Sequence, residues 1–282
     1  MAISNSTTLN DLVGQIVSEL AQSAAYAARV MRPLVRSVAL PPGAGSIVIP
    51  RFQELTVASL SEGVAPASTT WSSDGVTLTP VERGVYVQVS KRALHADPFT
   101  DLQPYADQIG RALASDEDAL ILDAMSPTGN SVGDASTDIT LATFLSAIGK
   151  LEEDNAPGPY FAVFHPVSWA KIRAELDDAS AFASVGARVV EGFGEGLTNL
   201  NGFVGSPYGV PTFISSNVNK TGNDYNNIMF SREAVGYAFI QDIGVDVDDN
   251  VTARAMDLMG WYSGDADELV DNYMCNLTDD GD

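Results

Sequence analysis

Cysteine is almost missing from this chain. Cys275 is the only one, so no disulfide can form within it, and two histidines beside one cysteine do not furnish an ordinary structural zinc site. Basic residues are scarce too. Fifteen Lys and Arg stand against 37 Asp and Glu, a formal charge of −22, which excludes a nucleic-acid groove because phosphate binding depends on clustered cations. No segment approaches the ~20 consecutive apolar residues of a membrane span, and the start, MAISNSTTLNDLVGQIV, lacks the basic residues and apolar run of a secretion signal. The expectation is a soluble protein made in a cytoplasm, in which the Asn-x-Thr triplets at Asn219, Asn250 and Asn276 are chance matches. What is present is a chain of 282 residues, 45% hydrophobic, enough for the core of one large domain or two intimate ones. Its acidity fits a well-solvated surface, or tuning to a salty environment.

Two long strand-like runs dominate the first third. SIVIPRFQELTV runs out from Ser46, LSEGVAPASTTWSSDG turns, and VTLTPVERGVYVQVSK returns to Lys91 with alternation over Val85, Val87 and Val89. An isolated two-stranded ribbon is marginal in water, so such an arm needs a surface from another molecule. Before it, Leu9, Leu12, Val13, Ile16, Val17 and Leu20 have helical spacing that continues through alanines to Met31, Leu34 and Val35. Arg29, Arg32 and Arg36 then share one face, which reads as a solvated face or as a basic surface for an acidic neighbour. After the ribbon, Asp97-Pro98 starts a long helix that runs to about Met125 on Leu102, Ile109, Leu113 and Leu120. A second helix spans Leu141 to about Glu153 and stops at Asn155-Ala156-Pro157-Gly158. Then the texture turns α/β: PYFAVF is a buried strand, Trp169, Ile172 and Leu176 mark a helix, and glycines punctuate a loop over 177–209. Short strands at GVPTFISS and NNIMFS precede two longer ones, AVGYAFIQDIGVDVDD and NVTARAMDLMGWYSG.

No catalytic constellation emerges. GFGEG at 192–196 lacks the preceding strand and the Lys-Ser or Lys-Thr of a P-loop, and reads as a surface loop. Asp246, Asp248, Asp249 and Asn250 resemble a calcium cluster but lack its Gly and distal Glu; alternation with Val245 and Val247 instead gives a strand with one solvated face. His165, followed by Pro166, reads as a turn after a strand, since no nucleophile motif accompanies it. The expectation is no enzyme, no cofactor and no metal, with a cation at a subunit junction left open.

Three segments carry a resemblance: VFHPVSWAKIRAEL at 163–176, YGVPTFISSNV at 208–218 and NIMFSREAVGYAFIQDIGVDVDDNVTARAMDLMGWYSG at 227–264. In their order and spacing the chain resembles the major capsid protein of tailed bacteriophages, the Hong Kong 97-type shell fold, over nearly its whole length. The resemblance implies an α+β fold with an N-terminal arm (1–45) and an extended β-hairpin loop (46–92) that overlaps a neighbouring subunit. It also implies a peripheral domain with a spine helix (93–157), an axial α/β domain (158–250), and a returning strand with a C-terminal segment of the peripheral domain (251–282). A capsomer-centre loop would hold Gly192, Gly194, Gly196 and Gly202. Family members can join subunits by a lysine–asparagine isopeptide bond, yet residues 51–90 contain no lysine. The expectation is therefore a shell held without covalent links, with Arg29, Arg32, Arg36, Glu54, Glu62, Trp71, Glu82 and Arg83 at inter-subunit contacts. Trp71 would be either a buried anchor or an exposed tip aromatic. Hexamers and pentamers of the chain would enclose double-stranded DNA behind an acidic inner wall, with separate scaffolding and portal proteins and, in some shells, a cement protein. Encapsulin-like compartment shell, acidic α/β enzyme and calcium-dependent binding module are the other readings.

Overall fold

The structure, a computed structural model, describes residues 6–52, 57, 73–92, 102–126, 129–178 and 200–281. Helix α1 (Ser6–Ala28) buries Val17, Ala21 and Ala25, four residues apart, against α2 (Gln103–Met125). The two helices cross closely because α2 has Gly110 there, where a Cβ would lie 2.2 Å from the Ala21 carbonyl oxygen. The expected α1 continuation to Val35 does not occur. The buried Asp118 carboxylate accepts the N–H groups of Val30 (3.0 Å) and Met31 (2.9 Å), and the chain turns so that Met31, Leu34 and Val35 enter the core. At 23 residues, α2 is about 34 Å long; its expected start at Asp97-Pro98 falls outside the described residues.

A four-stranded sheet runs in the order β1 (Arg36–Ala39), β11 (Val235–Asn250), β12 (Ala255–Glu268), β4 (Val81–Ser90). Its inner face, with Val89, Ile243, Val245, Leu258 and Tyr262, packs on α1 and the first half of α2. The returning run of the ribbon divides. β2 (Ile47–Phe52) pairs with β3 (Ser73–Leu78), but β4 leaves the ribbon and pairs with β12 from Ser90↔Ala255 to Val81↔Gly264. The alternation of Val85, Val87 and Val89 therefore records burial on helices of the same chain. At the ribbon root, Ile49 and Leu78 pack with Leu40, Ala238 and Leu269, so that end has a small core of its own.

The second sheet has seven strands: β5 (Ser131–Gly133), β13 (Met274–Asp279), β10 (Asp224–Ser231), β6 (Tyr160–Phe164), β8 (Thr212–Ile214) and β7 (Phe203–Gly205) in order, with β9 (Lys220–Thr221) beside β10. Period-two alternation feeds two cores. Phe161 and Val163 face the second half of α2, while Ala162 and Phe164 face α3 (Leu141–Glu153) and α4 (Pro166–Asp178). Helix α3 has the bounds that its sequence predicts. Thr140 caps it by accepting the Thr143 N–H, and Asn155, at φ 52°, ends it with Ala156 N–H on the Leu151 carbonyl. The strand expected to begin at Asn250 begins at Ala255 after a turn, and β13, not foreseen, inserts between β5 and β10.

Candidate assembly surface

Where α1 ends, a largely buried charged node joins it to α2 and to the four-stranded sheet. Arg29, 7% exposed, lies just past α1, with its Nε 2.6 Å from Glu117 Oε2 on α2 and its NH2 2.5 Å from Asp242 Oδ1 on β11. Arg32 reaches the same two carboxylates at 3.3 and 3.0 Å and lies 4.0 Å over the Phe239 ring. Asp242 can point at both arginines because the β11–β12 register slips between Phe239 and Gln241 and again between Gln241 and Gly244. Such irregularities turn a side chain out of the strand's alternation. Burial opposes ionisation of Asp242, but the hydrogen bond and charge of Arg29, with Arg32 beside it, hold its pKa down to about 2. Asp118 goes the other way. Burial pushes it up to about 7, against the two backbone N–H bonds that favour its charge. Tyr237 is raised by burial and by the charge of Glu117, and Tyr262, raised likewise by burial, donates to Asp116.

The charges of the node are matched within the chain. A cavity of about 350 Å³ borders it, lined by Tyr26, Arg29, Arg32, Pro33, Ser37 and Leu200 among others, but both arginines are already matched by carboxylates. No group of three or more metal-ligating side chains gathers among the described residues. Asp246 and Asp248 are exposed on β11, and Asp246 accepts the Trp261 indole N–H. His165 is held as a turn residue. Its ring stacks on Tyr225 at 3.9 Å, its backbone N–H donates to Asn227 Oδ1, and its Nδ1 accepts the Val167 N–H. Burial, with Lys220 nearby, lowers its pKa.

The residues expected at subunit contacts scatter. Arg29 and Arg32 are engaged inside the chain, in the node. Arg36 is exposed on β1, opposite Gly236. Glu82 and Arg83 are exposed on β4, where Arg83 makes a solvated 3.3 Å pair with Asp116. Glu54, Glu62, Trp71, Gly192, Gly194 and Gly196 lie outside the described residues. Gly202 has φ +77° and no room for a side chain, since a Cβ would sit 2.7 Å from the Ile214 carbonyl oxygen.

Sequence reasoning missed Glu117, Asp118 and Asp242. A signal existed for the first: Glu117 stands four residues from both Leu113 and Ile121, on the buried stripe of α2. Asp279 was missed as well. Fully buried on β13, it accepts the Ile139 N–H (2.8 Å) and the Ser168 hydroxyl (2.5 Å) and lies 3.2 Å from Lys171 Nζ.

A family model described as phage capsid protein matches residues 73–270. No curated protein matches the chain. Among solved structures, the capsid of cyanophage P-SCSP1u is similar at 13% identity and TM-score 0.63, over 86% of each chain. A Mycobacterium phage Che8 structure is similar at 16% identity and TM-score 0.64, over 83% of this chain and 84% of that one. The SrpI encapsulin of Synechococcus elongatus PCC 7942 is similar at 12% identity and TM-score 0.61, over 87% and 85%.

Proposed function

Because the chain belongs to the phage capsid protein family, we propose that its open sheet and ribbon are the surfaces by which copies close into an icosahedral shell around a double-stranded DNA genome. It is a major capsid shell protein with the Hong Kong 97-type fold, a structural component of the virion that assembles with copies of itself. The finer reading concerns how. Heterologous contacts between identical subunits close into rings around fivefold and sixfold centres, and pentamers and hexamers share the same subunit surfaces. The observation that carries this reading is the ribbon: β2 and β3 form a separate two-stranded sheet, held to the rest of the chain by Ile49 and Leu78 in a small apolar cluster and by Arg51 on the Glu268 carbonyl, a design that gains stability from a neighbour.

With no lysine in 51–90, the clasp works by strand pairing, packing and charge, and Trp71 near the ribbon tip is the anchor we assign to it. The net charge of −22 supports an acidic inner wall along which packaged DNA slides. Scaffolding and portal proteins act as separate partners, and assembly takes place in the host cytoplasm. Purified protein, examined by light scattering and negative-stain microscopy, should form particles of uniform diameter that denaturing gels resolve into 29.8 kDa chains. A ladder of covalent multimers would overturn the non-covalent clasp. A small monodisperse species under all assembly conditions, with or without viral partners, would overturn the shell itself.

A further inference from the structure

Helix α1 ends against one carboxyl group of α2. The Arg29 N–H still bonds back to the Ala25 carbonyl, whereas the next two N–H groups, of Val30 and Met31, donate to Asp118 instead. Asp118 is 2% exposed, so water does not replace those bonds when they break. The charged and titratable groups around it come from every element packed there. Arg29 and Arg32 lie on the turn, Glu117 stands beside Asp118 on α2, and β11 supplies Asp242 and the Tyr237 hydroxyl that bonds Glu117. Asp116 is taken by Arg83 and by the Tyr262 hydroxyl of β12.

Both guanidiniums of the node are engaged by Glu117 and Asp242, and among the described residues no cation forms an ion pair with Asp118. The four charges of the node cancel. An ionised Asp118 would therefore add a surplus negative charge next to buried Glu117, with only two backbone N–H groups to meet it. We infer that Asp118 is a proton-binding site that governs the docking of α1. With its proton, the site is neutral and the turn stays closed on α2; without it, the surplus charge raises the population in which α1 and residues 29–31 are open. The proton leaves to water, which the cavity lined by Arg29 and Arg32 brings up to the node. Burial, with Glu117 beside it, places this titration at about 7 in the folded chain against 3.8. The contribution to docking is accordingly full below 3.8 and declines as pH rises through about 7.

This device belongs to the subunit and does not depend on the shell reading. Amide hydrogen exchange on the full chain, held in one assembly state and corrected for the intrinsic pH dependence of exchange, reads it directly. From about pH 5.5 to about pH 8.5 the amides of 6–31 should lose at least ~10-fold of their protection, while those of β6 and β10 change less than ~2-fold. Asp118→Asn keeps the shape and an oxygen for the Met31 N–H but cannot titrate, so its α1 protection should stay level across that range. Glu117→Gln removes the neighbouring charge, which should move the wild-type step about one unit or more to lower pH and make it smaller. Level protection of α1 in wild type would overturn the inference, as would a full step in Asp118→Asn, which assigns the titration to another group. A step that Glu117→Gln leaves in place would overturn it too, and so would loss of protection shared equally by β6 and β10, which marks global unfolding.

Discussion

The seven-stranded sheet is covered on both faces, by the second half of α2 on one side and by α3 and α4 on the other, whereas among the described residues the four-stranded sheet packs on helices at one face. On its other face Tyr86 and Met259, opposite one another on β4 and β12, stay exposed. The difference assigns the two halves separate work. One sheet is a closed core that holds the subunit together, and the other leaves Tyr86 and Met259 exposed on a face that the proposed function gives to contacts with other copies. The charged node of Arg29, Arg32, Glu117 and Asp242 ties the end of α1 to both α2 and β11.

Replacing residues 53–72 with a two-residue turn is the harshest test of that division. Closed shells should vanish in micrographs while the subunit's circular dichroism and melting stay those of wild type; normal shells would remove the ribbon from the clasp. Core changes come next. Phe144→Ala, which empties a fully buried position beside Phe164, should cost ~3–5 kcal/mol in denaturant unfolding. Glu117→Ala should cost a similar ~3–5 kcal/mol because it leaves the buried Arg29 short of a partner. If Glu117→Ala were nearly neutral, the ion pairs at the end of α1 would carry little of the fold's stability.

Acid and base should then act on the node in opposite directions. Asp242 has a folded pKa of about 2 against 3.8, so its contribution is present above 3.8 and is lost as pH falls toward 2. Asp118, at about 7 against 3.8, binds its proton more tightly when folded, so its contribution is full below 3.8 and declines as pH rises through about 7. Unfolding free energies of wild type and Asp118→Asn, compared from about pH 5 to about pH 8, should diverge, with wild type losing ground toward the higher pH. Parallel curves would show that Asp118 does not titrate there. The smallest effect belongs to the open sheet. Arg83→Ala breaks an exposed pair with Asp116 and should change subunit stability by less than ~1 kcal/mol.

Much of the fold was legible because local rules were obeyed. Helix α3 has a Thr cap and an Asn stop, β6 is a short apolar run before Pro166, and Leu113 and Ile109 repeat along α2. The misreadings occurred where distant residues overrode local pattern. Helical spacing through Met31 and Leu34 lost to Asp118, 87 residues away, which takes the Met31 N–H for itself. The alternation of Val85, Val87 and Val89 gave a half-buried strand correctly but could not say which surface buried it. The candidate contacts suffered most. Arg29 and Arg32 looked like a basic face until the fold brought Asp242, 213 residues from Arg29, against them.

By itself, then, the sequence determined that no disulfide can form within the chain and that its charge is strongly acidic, and it gave most of its helices, its ribbon and the order of elements that the capsid family shares. Periodicity, caps and composition act over a few residues, and they are written along the chain. Tertiary structure alone decided that β4 joins β12 rather than the ribbon, that β13 completes the second sheet, and that three carboxylates on α2 and β11 capture the turn after α1. Those choices depend on which buried polar groups find partners once the sheets close, and no local pattern records the partner.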